Sequence, residues 1–100
     1  MASRVTITEF AALGQGGSGQ LAQIAALPAL RDQAVLDVAG GVQTSAAFGT
    51  DTKFIRVVCE VRTSVRVGGV ATAANLVMVA GVPEYFGVVG GQTLSAIANP

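Results

Sequence analysis

Three glycines, Gly14, Gly16 and Gly19, spell G-x-G-x-x-G in LGQGGSGQ, and Asp37 follows at about the separation of a ribose-binding acid. In that pattern glycines let backbone amides approach a pyrophosphate at a helix N-terminus. Three features oppose it here. The preceding segment, VTITEF, alternates with Thr and Glu, whereas a central parallel strand is continuously apolar. Pro28 interrupts the would-be crossover helix. The remainder reads as antiparallel β, with no second βαβ half. A Gly-rich connection explains the glycines without a ligand, and dinucleotide binding stays as a remote alternative.

Other chemistry-bearing residues are sparse. The acids Glu9, Asp32, Asp37, Asp51, Glu60 and Glu84 are scattered, with no D-x-D loop for calcium and no zinc spacing. There is no histidine, which removes histidine-based catalysis and histidine metal sites. Cys59 is the single cysteine and falls on an apolar strand parity, where a buried thiol acts as a small hydrophobe. Arg56, Arg62 and Arg66 share one strand parity and could meet phosphate; Glu60 shares it too, and a solvated or partner-facing strand surface is the plainer reading. Tyr85 and Phe86 follow Pro83 as core or interface anchors at a corner. The expectation is a chain without enzymatic activity, cofactor or metal.

The elements that hold these residues are strands. In KFIRVVCEVRTSVRV the odd positions Ile55, Val57, Cys59, Val61, Thr63, Val65 and Val67 alternate with Arg56, Glu60, Arg62, Ser64 and Arg66. Period two marks a strand with one buried and one wet face. The run is long for a single strand, so a bend is expected near Glu60–Ser64. Arg4–Phe10 alternates too and reads as a short strand or extended arm. Residues 11–20 read as loop, and 21–30 as extended chain with one helical turn before it. Further strands are expected over 33–38, 42–48, 75–80, 84–88 and 93–98, with turns at 49–51, 81–83 and a hairpin at Gly90-Gly91. Together they predict an all-β fold, a compact antiparallel β-sandwich of jelly-roll type. An extended N-terminal arm and Gly-rich loop would occupy residues 1–30 and the sandwich 31–100. Removal of residues 1–19 would then leave the sandwich folded.

Composition bounds the partners. One hundred residues make one domain with a modest core. Charged residues are only 12% and net charge is zero, which favours a surface covered in an assembly and lacks the basic footprint of a nucleic-acid binder. MASRVTITEF has no secretory-signal pattern, and the uncharged stretch 67–83 is short and broken for a membrane span. Neither nucleic acid nor membrane is an expected partner.

The segments TSAAFGTDTKFIRVV and VMVAGVPEYFGVVGGQTLSAIA, with ITEFAAL near the N-terminus, resemble small virion structural proteins of tailed bacteriophages. The shared elements are Ser45–Phe48, Phe54–Arg56 and the corner Pro83–Val88, the last being the most specific. Departures are the charged run Cys59–Arg66 and the longer Gly14–Gly19 segment. The resemblance implies a capsid decoration or cement protein, made in the host cytoplasm and placed on the capsid surface. It would contact the major capsid protein and copies of itself, as a homo-oligomer with a trimer among the candidates. A head-fibre base, a neck or tail part, or a host-surface-binding module is the alternative. The expected interface residues are Val5, Ile7, Phe10, Arg56, Arg62, Arg66 and Tyr85.

Overall fold

The alternation in Arg4–Phe10 and in Phe54–Cys59 builds one sheet, and these two strands pair antiparallel at its centre. In the computed structural model, which describes residues 3–11, 13–15, 21–25 and 29–99, the strands are β1 (Arg4–Phe10), β2 (Leu13–Gln15), β3 (Leu21–Ala25), β4 (Arg31–Asp32), β5 (Leu36–Asp37), β6 (Gln43–Thr44), β7 (Phe54–Cys59), β8 (Thr63–Val67), β9 (Leu76–Met78), β10 (Glu84–Gly87) and β11 (Leu94–Ala98). The first sheet runs β10-β7-β1-β4, with β5 pairing β1 beside β4; the second runs β6-β11-β8-β9. All pairings are antiparallel. The chain is an all-β sandwich, and no helix among the described residues is long and apolar enough to cross a membrane.

The long alternating run does break. Glu60–Arg62 leave the first sheet, and Thr63–Val67 enter the second. Parity survives the corner. Ile55, Val57 and Cys59 are fully buried, as is Thr63, and Val65 nearly so, whereas Arg66 is exposed. Val5, Ile7, Ile55, Val57 and Cys59 of the first sheet pack against Val65, Met78, Leu94 and Ala96 of the second. A fully buried aliphatic side chain of this kind contributes about 1.5–3 kcal/mol. Ser64 departs from the simple pattern: its parity is outward, yet it is fully buried, because the β8–β9 connection folds back over that face. Asn99 Nδ2 donates to Ser64 Oγ at 2.8 Å, and the Ala71 amide donates to Ser95 Oγ at 2.9 Å.

Two expectations about the N-terminal third are corrected. Arg4–Phe10 is a central strand of the first sheet rather than an arm, so the sandwich begins near residue 4 and not at residue 31. Its Val5 and Ile7 are fully buried, and removal of residues 1–19 would take out a strand flanked on both sides. Residues 13–15 and 21–25, expected as loop and as helical turn or extended chain, form a β2–β3 pair. The rest of the Gly-rich segment and Pro28 lie outside the described residues. The expected strand over 33–38 shrinks to Leu36–Asp37 followed by a 3-10 turn at Val38–Gly40, capped where Asp37 Oδ1 accepts from the Ala39 amide at 3.0 Å. Gly90-Gly91 is a turn but not a hairpin, since β10 and β11 belong to different sheets. Gly91 takes φ +89°, and a Cβ on Gly90 would lie 2.8 Å from the Gly49 carbonyl oxygen, so both glycines are required there.

Candidate functional site: a buried carboxylate and two apolar edges

Glu9 lies on β1 with the parity of Val5 and Ile7, which turns it inward, where it is 1% exposed. Four donors converge on it. Thr52 Oγ1 donates to Oε1 at 2.6 Å and the Gly49 amide at 2.9 Å; Arg31 Nε donates to Oε2 at 2.7 Å and Gln33 Nε2 at 2.9 Å. Register explains Arg31, which sits opposite Glu9 across the β1–β4 pair. The segment 45–52 supplies the other side and is itself clasped. Arg31 Nη2 donates to the Ala47 carbonyl at 2.8 Å and Gln33 Nε2 to the Ala46 carbonyl at 3.1 Å. Ser45 Oγ accepts from the Leu94 amide at 2.9 Å, which ties the same segment to the second sheet.

Burial alone pushes the Glu9 carboxyl up, but the bonds from Thr52, Gly49, Gln33 and Arg31 outweigh it and hold it below its ordinary value of 4.5. Glu9 is therefore ionised at neutral pH and has no proton to give as a general acid. Each oxygen already takes two donors, so neither is free to bind a ligand or cation. The groove beside it, about 220 Å³, is lined by Leu30, Arg31, Gly49, Thr50, Asp51 and Thr52. The arrangement fixes the 45–52 segment to the sheet; it is a structural clasp. Sequence reading grouped Glu9 with scattered acids. The signal for its burial was present: it is the one charged residue on the apolar parity of RVTITEF.

The dinucleotide pattern lacks its helix. Gly14 lies within β2, and Leu21–Ala25, where the phosphate-binding helix would run, is strand. Gly16 and Gly19 lie outside the described residues. Asp37 caps a 3-10 turn. Among the described residues no cluster of three or more Cys, Asp or Glu is placed to hold a metal ion.

The expected interface residues divide. Val5 and Ile7 are fully buried and Phe10 is 4% exposed, so these three serve packing, not a partner. Phe10 stacks on Phe54 with ring centroids 5.1 Å apart, joining β1 to β7 on the outer face. Arg56 and Arg66 project from the outer faces of different sheets, and Arg62 is exposed at the corner between them. Arg66 folds across Gly69, whose hypothetical Cβ would lie 2.7 Å from the guanidinium carbon. The three arginines thus form no common anion-binding surface. Tyr85 is 54% exposed and tilts against Phe54 at 6.2 Å, and it stays a surface candidate.

The features sequence reasoning missed are two sheet edges. On β9 and the turn after it, Leu76, Val77, Val79 and Val82 are exposed, within a stretch from 67 to 83 that holds no charge. Edge strands are normally blunted by charge, proline or bulges. On the other sheet β10 is also an edge. Between the two edges an apolar groove of about 160 Å³ opens, lined by Val65, Val67, Leu76, Phe86 and Leu94 with Arg66 at its rim. Edge strands with exposed aliphatic side chains suit association with another polypeptide through backbone pairing and apolar contact. Comparison with protein-family models, with curated proteins and with solved structures finds no match to this chain.

Proposed function

We propose that the chain is a non-enzymatic structural protein of a tailed-phage head, a decoration or cement protein that binds the outside of the capsid shell. The observation that carries this reading is the uncharged stretch 67–83, which leaves Leu76, Val77, Val79 and Val82 exposed on β9 and the turn after it, and Val70 exposed on the connection that crosses the outer face. The likeness of Ser45–Phe48, Phe54–Arg56 and Pro83–Val88 to small virion proteins supplies the context. A cement protein works by covering apolar seams between capsomers. An interface of about 800 Å² per partner removes about 1,600 Å² from water, a little over half of it apolar, which at about 25 cal/mol per Å² corresponds to roughly 22 kcal/mol gross, from which the cost of association is subtracted. Such a role needs area and a rigid frame. The Glu9 clasp and the two-sheet core provide the frame.

The test is sedimentation of purified protein with empty shells, followed by its ratio to the major capsid protein in particles. Binding at hundreds of copies per particle supports the cement role. A few copies per particle would move it to a neck, tail or fibre-base role. Protein that never sediments with shells would overturn the reading.

A further inference from the structure

We infer that two copies of this chain join through the open edge of β10, in a two-fold antiparallel pair that sets Tyr85 of each copy opposite Gly87 of the other. The inference concerns the isolated protein and does not depend on the capsid reading.

The backbone comes first. β10 pairs with β7 in the register Glu84↔Val57, Tyr85↔Arg56, Phe86↔Ile55, Gly87↔Phe54, and the next rung is closed by the Val88 amide donating to the Lys53 carbonyl at 3.0 Å. In an antiparallel ladder successive residues turn their N–H and C=O groups to opposite sides. Val88, Phe86 and Glu84 therefore bond to β7. Tyr85 and Gly87 turn theirs to the open edge, where neither has a main-chain partner among the described residues. The edge offers two donors and two acceptors. Pro83, which has no N–H, ends it on one side. On the other side the Val89 amide is already taken by Gln92 Oε1 at 2.9 Å.

Side chains then select the occupant and the register. Tyr85 and Gly87 share the outer face. The Tyr85 ring is 54% exposed, while the space where a Gly87 side chain would stand is open, with no atom within 4 Å. A glycine in a strand often marks close approach of another group, and an aromatic ring placed across from it covers the exposed backbone. A two-fold axis at Phe86 satisfies both halves at once. Each Tyr85 lies over the other copy's Gly87, and all four edge-facing groups on each copy pair. Phe86 meets its own counterpart at the mouths of the two apolar grooves. Val89, 68% exposed, comes opposite the other copy's Pro83 and beside Val82, 50% exposed. A register centred on Tyr85 instead would stack ring on ring and set Gly87 against a proline that cannot donate.

Charge permits this arrangement. Glu84 falls opposite Val88 of the other copy, and the two Glu84 residues stand about four strand positions apart, roughly 13 Å, beyond the screening length of ~8 Å at physiological salt. The contact is isologous and closes on itself. The β9 edge is also open, but Leu76, Val77 and Met78 offer no such pairing of large against absent side chain.

The experiment uses the full chain with Cys59→Ser, so that no native thiol interferes. Sedimentation equilibrium over a concentration series is expected to show a monomer–dimer equilibrium. Gly87→Arg, which fills the space that the ring needs, is expected to weaken it by about thirtyfold or more. Gly87 has no positive φ, so the variant is expected to keep its circular dichroism and melting temperature. Register is read by mixing two single-cysteine chains, Tyr85→Cys and Gly87→Cys. Directly opposed residues in a hydrogen-bonded antiparallel pair lie about 5.5 Å apart at Cα, within disulfide reach. Oxidation should give the mixed disulfide dimer in preference to either homodimer. A strictly monomeric chain, a trimer, a Gly87→Arg chain that dimerises normally, or crosslinking without preference for the mixed pair would each overturn the inference. Failure here leaves shell binding to be judged on its own sedimentation assay.

Discussion

Glu9→Gln tests whether the buried carboxylate is the clasp that holds the 45–52 segment. The substitution preserves shape and removes the charge. With its NH2 group toward Arg31 and Gln33 the amide faces two donors; turned the other way it faces the Gly49 amide, while the Thr52 hydroxyl can rotate to accept from it. One or two charge-assisted hydrogen bonds are lost, each worth about 1.5–3 kcal/mol, and those that remain lose their charge. Two compensations reduce the sum. Arg31 and Gln33 keep their bonds to the Ala47 and Ala46 carbonyls. The Arg31 side chain is also 47% exposed, so water solvates its charge once the partner is gone. The expected loss is about 3 kcal/mol, below the upper range for breaking a fully buried pair. For a domain of this size that corresponds to a fall in Tm of about 12–24 °C.

Urea unfolding followed by circular dichroism measures the loss directly. Asp51→Asn, on the same groove but exposed, serves as control and should stay within about 0.5 kcal/mol. Acid titration supplies the second readout. Because the folded Glu9 carboxyl titrates below its unfolded value of 4.5, its contribution is complete above that value and is lost as pH falls through the folded pKa. The wild-type chain should therefore lose stability relative to Glu9→Gln in that acid window, and the gap between them should narrow. A Glu9→Gln chain within 1 kcal/mol of wild type at neutral pH, as judged against the usual spread for surface substitutions of about 0.5 kcal/mol, would refute the clasp.

Val57→Asp should abolish folding, as an unpaired charge buried at a site of zero exposure costs several kcal/mol, whereas Arg56→Ser on the outer face should change stability by no more than about 0.5 kcal/mol; both are read by thermal melts. Cys59 is fully buried with Sγ 3.9 Å from Met78 Sδ, and burial, with some help from the charge on Glu84, pushes its thiol up from 9.0 against an opposing bond to Thr63. Native protein should thus label with a thiol reagent at least about a thousandfold more slowly than unfolded protein, and rapid native labelling would mean that the core is misassigned. Gly90→Ala should cost about 1–3 kcal/mol, since its Cβ would meet backbone atoms of Gly49 and Thr50 at 2.8 Å, and an unchanged urea midpoint would show that the turn yields freely.

Period-two patterning determined a good deal without help. A slip of one residue exchanges the faces of a strand, so the apolar parity of Arg4–Phe10 and Phe54–Cys59 settled which side chains enter the core. The break near Glu60 and the turns at residues 49–51 and 81–83 were legible for the same reason: local chemistry dictates them. Pairing is a different matter. Alternation says which face is buried but not which strand lies alongside, because partners are chosen by contacts between residues distant in sequence. That is why Arg4–Phe10 read as an arm although it lies between β7 and the β4–β5 edge. It is also why three arginines of one parity came apart once the chain turned a corner at Glu60–Arg62, Arg56 and Arg66 onto different sheets and Arg62 at the corner between them.

The Glu9 clasp and the β10 edge belong wholly to tertiary structure. Four donors from residues 31, 33, 49 and 52 converge on one carboxylate only after β1, β4 and the 45–52 segment are brought together. A glycine beside an exposed tyrosine gains meaning only because β10 is the last strand of its sheet. Local sequence determined the direction in which each side chain points; long-range packing decided what it meets.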